Sequence, residues 1–560
     1  MTFIQDGPTL GNQYRDDRVL RSYLARVLEP AVAARVAPEL DAVGEVSGGE
    51  LYLLQLADRQ NEPRHLPFDP WGRRIDRIEH TALWQRAARI AVEHGLVATA
   101  YERASGAASR IHQFALVYLF DPSSDVYTCP LAMTDGAART LLAHKATALA
   151  ERALPRLLSR DPALAWTSGQ WMTERTGGSD VGLSETRAEP TGGSAYGVPD
   201  AHRLFGNKWF TSAAAADMAL TLGRPPGAPA GGKGLALFYL ETRDALGAPN
   251  GVVIHRLKDK LGTRKLPTAE LDLEGALAAP VAGLANGVRA ITPLLNTTRT
   301  WNAVCSVAAM RRALALARDY ARRRSQFGAP VLEQPLHADT LAGMQAEYEG
   351  AFHLAFRVVE LLGLEEAAGL DDRRAALLRI VTPIAKLLTA KQAVAIASEA
   401  LECFAGAGYC EDTGIPRLLR DAQVLSIWEG TTNVLALDLL RALRKTGLGP
   451  FKAELEELTA TLRDDALGRA GKLALASAER VERWLAEQLE PAAVEAGARR
   501  AAFGLGRALE LALLARHAQW ALDVEKDPRP ARAAARFALG GLGELFAPML
   551  EPSAALAADR

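Results

Sequence analysis

The chain has 560 residues, 49% hydrophobic and 23% charged, with a formal net charge of −1. At roughly 100–200 residues per domain this is room for three or four domains, and the apolar content excludes a chain that is disordered throughout. The charge balance excludes a whole-surface polyanion binder and leaves only local basic patches for nucleic acid.

The first residues, MTFIQDGPTLGNQYRDDRVL, show no basic region followed by an apolar run, so no signal peptide is expected. No run of about 18 apolar residues appears, and no membrane span is expected. Cys129, Cys305, Cys403 and Cys410 are too scattered for a disulfide framework or a metal site, which fits a reducing cytoplasm.

Residues 80–104 repeat apolar positions at three and four, the spacing of an amphipathic helix, and 136–162 continue in that style. Between about 180 and 280 glycine, proline and β-branched residues rise. There 204–212, 235–242, 251–257 and 269–273 read as short strands, with 222–234 as a loop. GAPAGGKG (227–234) counts as G-x-x-x-x-G-K, but Gly234 stands where a P-loop needs Ser or Thr, so a hairpin loop is expected. No G-x-G-x-x-G follows a strand, which argues against a Rossmann site. From 285 to 445 helix returns: Leu377, Ile380, Val381, Ile384 and Leu388 lie at helical spacing, with Pro383 predicting a kink or break. After GLGP (447–450) a further helical block is expected. The fold class is thus mainly α with a central β-domain, divided into 1–170, 171–284, 285–446 and 447–560.

Four stretches carry candidate chemistry. Met172-Thr173-Glu174-Arg175-Thr176-Gly177-Gly178-Ser179 offers backbone N–H groups and hydroxyls to a heteroaromatic ring or phosphate; alone it also reads as a plain turn. Asn207-Lys208-Trp209-Phe210-Thr211-Ser212 sets an aromatic beside small hydroxyls, able to wall a flat cofactor or to fill a core. Arg322-Arg323-Arg324-Ser325-Gln326-Phe327-Gly328 suits a pyrophosphate through arginine's donor fork. Consecutive arginines cannot all face one side of a helix, so most of them are solvated. Ile427-Trp428-Glu429-Gly430-Thr431-Thr432-Asn433 puts a carboxylate beside an indole. Burial there raises its pKa toward general-base range; a surface Glu before a turn is the plainer reading.

Together, and in this order, the four stretches resemble the acyl-CoA dehydrogenase superfamily of flavoproteins, most closely its AidB-type adaptive-response subgroup. HRLKDKLGTR (255–264), AGAGYCED (405–412) and the C-terminal helical block strengthen the resemblance, which covers essentially the whole chain. It implies a helical N-terminal domain, a β-barrel-like middle domain, a four-helix bundle and an extra helical C-terminal domain, in a homotetramer.

It further implies FAD, held by Met172, Thr173, Gly178, Ser179, Phe210, Thr211, Ser212, Ile427, Trp428, Gly430, Thr431 and Asn433, with Arg324 and Phe327 reaching the FAD of a neighbouring subunit. Glu429 falls on the base position and Arg299 near the reaction centre. The implied reaction removes an acyl-CoA α-proton to Glu429 and the β-hydrogen as hydride to flavin N5, with an electron-transfer flavoprotein as acceptor. Ala405-Gly406-Ala407-Gly408 departs from the family's Gly-Gly-x-Gly, and bulky Trp428 argues against long straight acyl chains.

The AidB type also implies weak dehydrogenase activity and double-stranded DNA binding in alkylation stress. Residues 441–560 carry 18 Lys and Arg against 17 Asp and Glu, which leaves only local clusters for DNA: Arg441, Arg444 and Lys445, and Arg529, Arg532 and Arg536, the latter at helical spacing. Solvated helix faces paired with nearby acids are the plainer reading of both clusters. A cofactor-free helical scaffold is the third reading.

Overall fold

The structure is a computed structural model that describes residues 5–488 and 490–540. The chain divides into two compact units. One takes the residues up to Ala338 with Val359–Gly369 and Thr389–Thr431; the other takes Asp339–Val358, Leu370–Leu388 and the residues from Thr432 onward.

The first unit begins with helices, among them Ala108–Phe120, Thr128–Ala143 and Thr147–Leu157. The single helix expected over 80–104 is two, Ala82–Glu93 and Ala98–Glu102, because Gly95 turns the chain at φ +56°. A two-stranded hairpin, Arg64–Phe68 with Arg74–Glu79, precedes them.

A seven-stranded sheet follows in the order Ser168–Trp171, Met218–Gly223, Ala236–Glu241, Thr268–Pro280, His202–Ser212, Arg187–Pro190, with Val252–Leu257 also paired to Thr268–Pro280. Only the first pair is parallel. Met218–Gly223 and Ala236–Glu241 are buried at every position. Alternation explains it, since successive side chains of a strand point to opposite faces. Leu220, Leu222, Leu237 and Tyr239 join Leu141, Leu149 and Leu157 of the N-terminal helices in one core. Ala219, Ala236, Phe238 and Leu240 join Trp171, Leu204, Ile254 and Leu271 in a second core within the sheet. Each fully buried Leu contributes about 1.5–3 kcal/mol.

Helix Thr292–Arg323 then starts a long helical region. Helix Asp372–Cys403 runs unbroken through Pro383, so of the kink or break expected there the break does not occur. The ring removes one hydrogen bond and clashes with the preceding turn. Burial outweighs that loss: Ile380, Val381, Ile384 and Leu388 are all buried. This helix is long and apolar enough to cross a membrane, but 83% of its most apolar window is buried in the fold. In the second unit, helices Asp465–Glu487, Pro491–Trp520 and Arg529–Leu539 form the C-terminal block. Pro530 sits in the first turn of the last, where a missing N–H costs nothing.

Candidate active site

The site lies in the first unit, where a cavity of about 90 Å³ runs between three stretches of chain. Helix Thr292–Arg323 contributes Thr298, Trp301, Asn302, Cys305, Ala309 and Arg312, one stripe at helical spacing. The facing stretches run from Asp121 to Met133 and from Arg417 to Glu429. Thr298 and Arg312 are roughly 21 Å apart along the helix axis at about 1.5 Å per residue, so the cavity is elongated.

Glu429 lies at one end, half-buried, with its backbone in the left-handed region at φ +56° and Gly430 following at φ +100°. A non-glycine residue there costs of order 1–3 kcal/mol and persists only where its surroundings impose it. Two contacts do so: Thr298 Oγ1 donates to Glu429 Oε2 at 2.6 Å, and Arg299 Nε lies 3.4 Å from the Glu429 carbonyl. Trp428 lines the cavity beside it, and its buried indole N–H has no protein partner among the described residues. Cys129 is also close; burial first, then the Glu429 charge, push its thiol up to about 12, so it is inert as a nucleophile.

The sheet brings its two candidate stretches together. Buried Lys208 Nζ donates to buried Glu174 Oε1 at 2.8 Å. Trp209 N–H donates to the Thr173 carbonyl at 2.9 Å, and Arg175 N–H to Asn207 Oδ1 at 3.0 Å. Burial would raise the Glu174 carboxyl, but Lys208 and the Thr186 hydroxyl hold it below the usual carboxylate range. The Met172–Ser179 turn is thereby fastened to the strand. Gly178 is needed in it, since a Cβ there would meet Thr173 Oγ1 at 2.6 Å; Ser179 is exposed and Met172 packs on the first core.

The pairing of His202–Ser212 with Thr268–Pro280 shifts register between Lys208 and Thr211, and such bulges re-aim side chains. Phe210 is 58% exposed, whereas Thr211 is buried with a hydroxyl that has no partner among the described residues. Ser212 Oγ lies 3.3 Å from Thr268 Oγ1. The next residue, Ala213, packs with Met133 and Cys129, which line the Glu429 cavity. Thus the strand end and the carboxylate share one neighbourhood.

Other sequence candidates lie elsewhere. Ile427 and Thr431 are exposed, and Asn433 is exposed at the start of helix Thr432–Thr446. Arg324 hydrogen-bonds Gln5, and Phe327, 97% exposed at φ +51°, tips a hairpin of two-residue strands. Neither lines the cavity. Arg441, Arg444 and Lys445 are exposed in the last turns of helix Thr432–Thr446, where cations complement the helix dipole. Arg529 pairs with Asp527 and Arg536 with Asp339, while Arg532 is exposed with no ion pair among the described residues. No group of three or more His, Cys, Asp or Glu that could hold a metal occurs among the described residues. Sequence reasoning overlooked Thr298 and Arg312; their helical spacing with Trp301 and Cys305 was the available signal.

Comparison with known proteins agrees with this architecture. Residues 9–162 match the adaptive response protein AidB N-terminal domain, 169–276 the acyl-CoA dehydrogenase middle domain and 285–444 the acyl-CoA dehydrogenase C-terminal domain. Acyl-CoA dehydrogenase family member 11 of Caenorhabditis elegans is 42% identical over 539 residues, covering 92% of this chain and 86% of that one. The putative acyl-CoA dehydrogenase AidB of Escherichia coli (strain K12) is 32% identical over 393 residues, covering 69% and 70%. The solved structure of Caenorhabditis elegans ACDH-11 in complex with C11-CoA superposes with a TM-score of 0.94 at 40% identity, covering 100% and 96% of the two chains. The chain belongs to the acyl-CoA dehydrogenase family. Its fold is that family's: helical N-terminal part, central β-domain and helical C-terminal part, with an AidB-type N-terminal domain.

Proposed function

We propose that this chain is an FAD-dependent acyl-CoA dehydrogenase whose base is Glu429. The observation that carries the reading is a carboxylate gripped by Thr298 in the wall of an elongated cavity. The C11-CoA bound by the Caenorhabditis elegans relative supports an acyl thioester as substrate.

The thioester carbonyl acidifies the α-C–H bond, and Glu429 takes that proton. Thr298 fixes the carboxylate that receives it, so orientation need not be found at each turnover. Trp301, Leu425 and Trp428 wall the cavity and keep water from the carbanion-like transition state. Arg299, on the next residue of the same helix, steadies the Glu429 backbone. The product is the trans-2-enoyl thioester.

The residues fit FAD. Thr211 and Trp428 present buried polar atoms without partners among the described residues, and Phe210 and Ile427 present exposed apolar surface nearby in sequence to each. Met172, Thr173, Gly178, Ser179, Phe210, Thr211 and Ser212 would hold it on the sheet side, and Ile427, Trp428, Gly430 and Thr431 on the other. Exposed Phe327 and half-buried Arg324 would serve a neighbouring copy in a homotetramer. When bound, FAD supplies the acceptor for the β-hydrogen, and an electron-transfer flavoprotein is the proposed reoxidant. Anaerobic addition of acyl-CoAs tests the reading: bleaching of the flavin band, abolished in Glu429→Gln with FAD retained, is expected. A flavin that stays oxidised with every thioester refutes it.

The alternative is an AidB-like, DNA-binding alkylation-stress protein. Exposed Arg441, Arg444, Lys445 and Arg532 support it; the carboxylates already held by Arg529 and Arg536 weaken it.

A further inference from the structure

The far end of the Glu429 cavity is not an apolar cul-de-sac. Arg312 lines it and is 2% exposed. A guanidinium offers five N–H donors. Ser123 Oγ takes one at 2.7 Å, and the Pro122 carbonyl another at 3.4 Å. The Tyr52 ring lies 5.3 Å from the guanidinium carbon. Its Nε–H is buried with no acceptor, and no carboxylate forms an ion pair with it among the described residues. Burial, with the neighbouring Arg417 and Arg311 charges, lowers its pKa to about 9 against the smaller opposing pull of Tyr52 and Asp121.

The neighbouring charges are otherwise engaged. Arg417, which also lines the cavity, is held by Asp125 and by Asp421 at 3.3 Å. Asp421 accepts from Thr263 N–H at 2.6 Å. Asp121 accepts from Thr128 and Cys305. Among the described residues, Arg312 is therefore the charged group of this lining with a buried donor to spare, at the end opposite the Trp428 indole N–H. A buried unsatisfied donor is costly, and a chain whose cavity needed only to enclose methylenes has no use for one. The span also matters. An extended chain advances about 1.2 Å per single bond, judged from three backbone bonds per ~3.5 Å residue. The roughly 21 Å from Thr298 to Arg312, shortened by the backward reach of the arginine, then matches about 12–16 bonds.

Resting on the acyl-CoA reading above, we propose that Arg312 receives an oxygen at the far end of the acyl chain, so that the site prefers long ω-oxygenated acyl thioesters, bearing a terminal hydroxyl or carboxylate, to plain chains of equal length.

The test uses the FAD-loaded full chain and three thioesters of each length between about 10 and 16 carbons: plain, ω-hydroxy and ω-carboxy. Flavin reduction gives KM, and calorimetry on the oxidised protein gives Kd. The expected preference for an ω-oxygenated chain over the plain one is roughly 10- to 100-fold in both, the contribution of a charge-assisted hydrogen bond. In Arg312→Met the ratio falls to about one, and in Arg312→Lys it is intermediate, because a point charge lacks the fork. The hydroxy and carboxy arms show which oxygen is taken. Plain chains that bind as tightly as both oxygenated ones overturn the inference, and the wild-type ratio alone decides this if Arg312→Met does not fold. Absence of flavin reduction with all three thioesters refutes the dehydrogenase reading instead, and the Kd ratio still reports on Arg312.

Discussion

Lys208 and Glu174 meet at 2.8 Å with neither side chain reaching solvent. This pair ties the strand carrying Phe210, Thr211 and Ser212 to the turn carrying Thr173 and Ser179. Glu174 also accepts from the Glu185 N–H at 2.6 Å and the Thr186 hydroxyl at 2.6 Å, so the ion pair is hydrogen-bonded on both sides. Removing one partner of such a pair costs about 3–5 kcal/mol, because the other charge is left buried, whereas removing both costs far less. Lys208→Met should therefore lower the melting temperature and the FAD content together, and Lys208→Met with Glu174→Met should recover much of the stability. Thermal melts of the three proteins check it; a double variant less stable than the single one contradicts the pairing argument.

Thr298→Val removes the hydroxyl that orients Glu429 and nearly conserves shape. FAD content should persist while the flavin reduction rate falls about 10-fold, of the order of one lost hydrogen bond to a charged group. Stopped-flow reduction by a thioester measures it, and an unchanged rate would remove Thr298 from the mechanism.

Asp121 gives a pH signature. Burial pushes its carboxyl up to about 6, above its value of about 3.9 in the unfolded chain. The folded state thus binds the proton more tightly. This group's share of stability is full below about pH 4 and is lost as pH rises through 6, a difference of about 3 kcal/mol. Asp121→Asn should be more stable than the parent near pH 7 and should lose that advantage by pH 4. Denaturant melts at both values decide it; a constant difference across the window argues against the buried carboxyl.

DNA association, if the alternative function holds, rests on few cations. Arg441, Arg444, Lys445 and Arg532 allow at most a few phosphate contacts. The slope of log affinity against log salt should then be shallow, roughly −0.9 per contact. Arg532→Ala should reduce it by about one unit. Duplex titrations between low and moderate salt read this directly, and no binding at low salt ends the DNA reading for this chain.

Much of the fold was legible because apolar periodicity survives wherever one face meets solvent. His202–Ser212 alternates in burial and was read as a strand; Met218–Gly223 has no alternation to read, since both its faces are covered. The Pro383 break failed because tertiary burial overrode a local rule. Glu429 stood out through its motif. Arg312 did not, because an arginine in a helix reads as solvent-facing until the fold encloses it. The left-handed turn at Ala405, φ +51°, sits where the sequence departs from the family's glycine. Ala405 thus keeps a left-handed backbone that glycine adopts at no steric cost.

The two-sided burial of Ala236–Glu241 has a consequence for how this chain can vary. Leu237 and Tyr239 belong to one core, and Ala236, Phe238 and Leu240 to the other. A one-residue insertion would move the side chains beyond it from one core to the other, each into a space shaped for a different residue, on both faces at once. Length changes in this lineage should therefore collect in the 224–234 connection, after strand Met218–Gly223 ends, and be absent from the strands on either side of it.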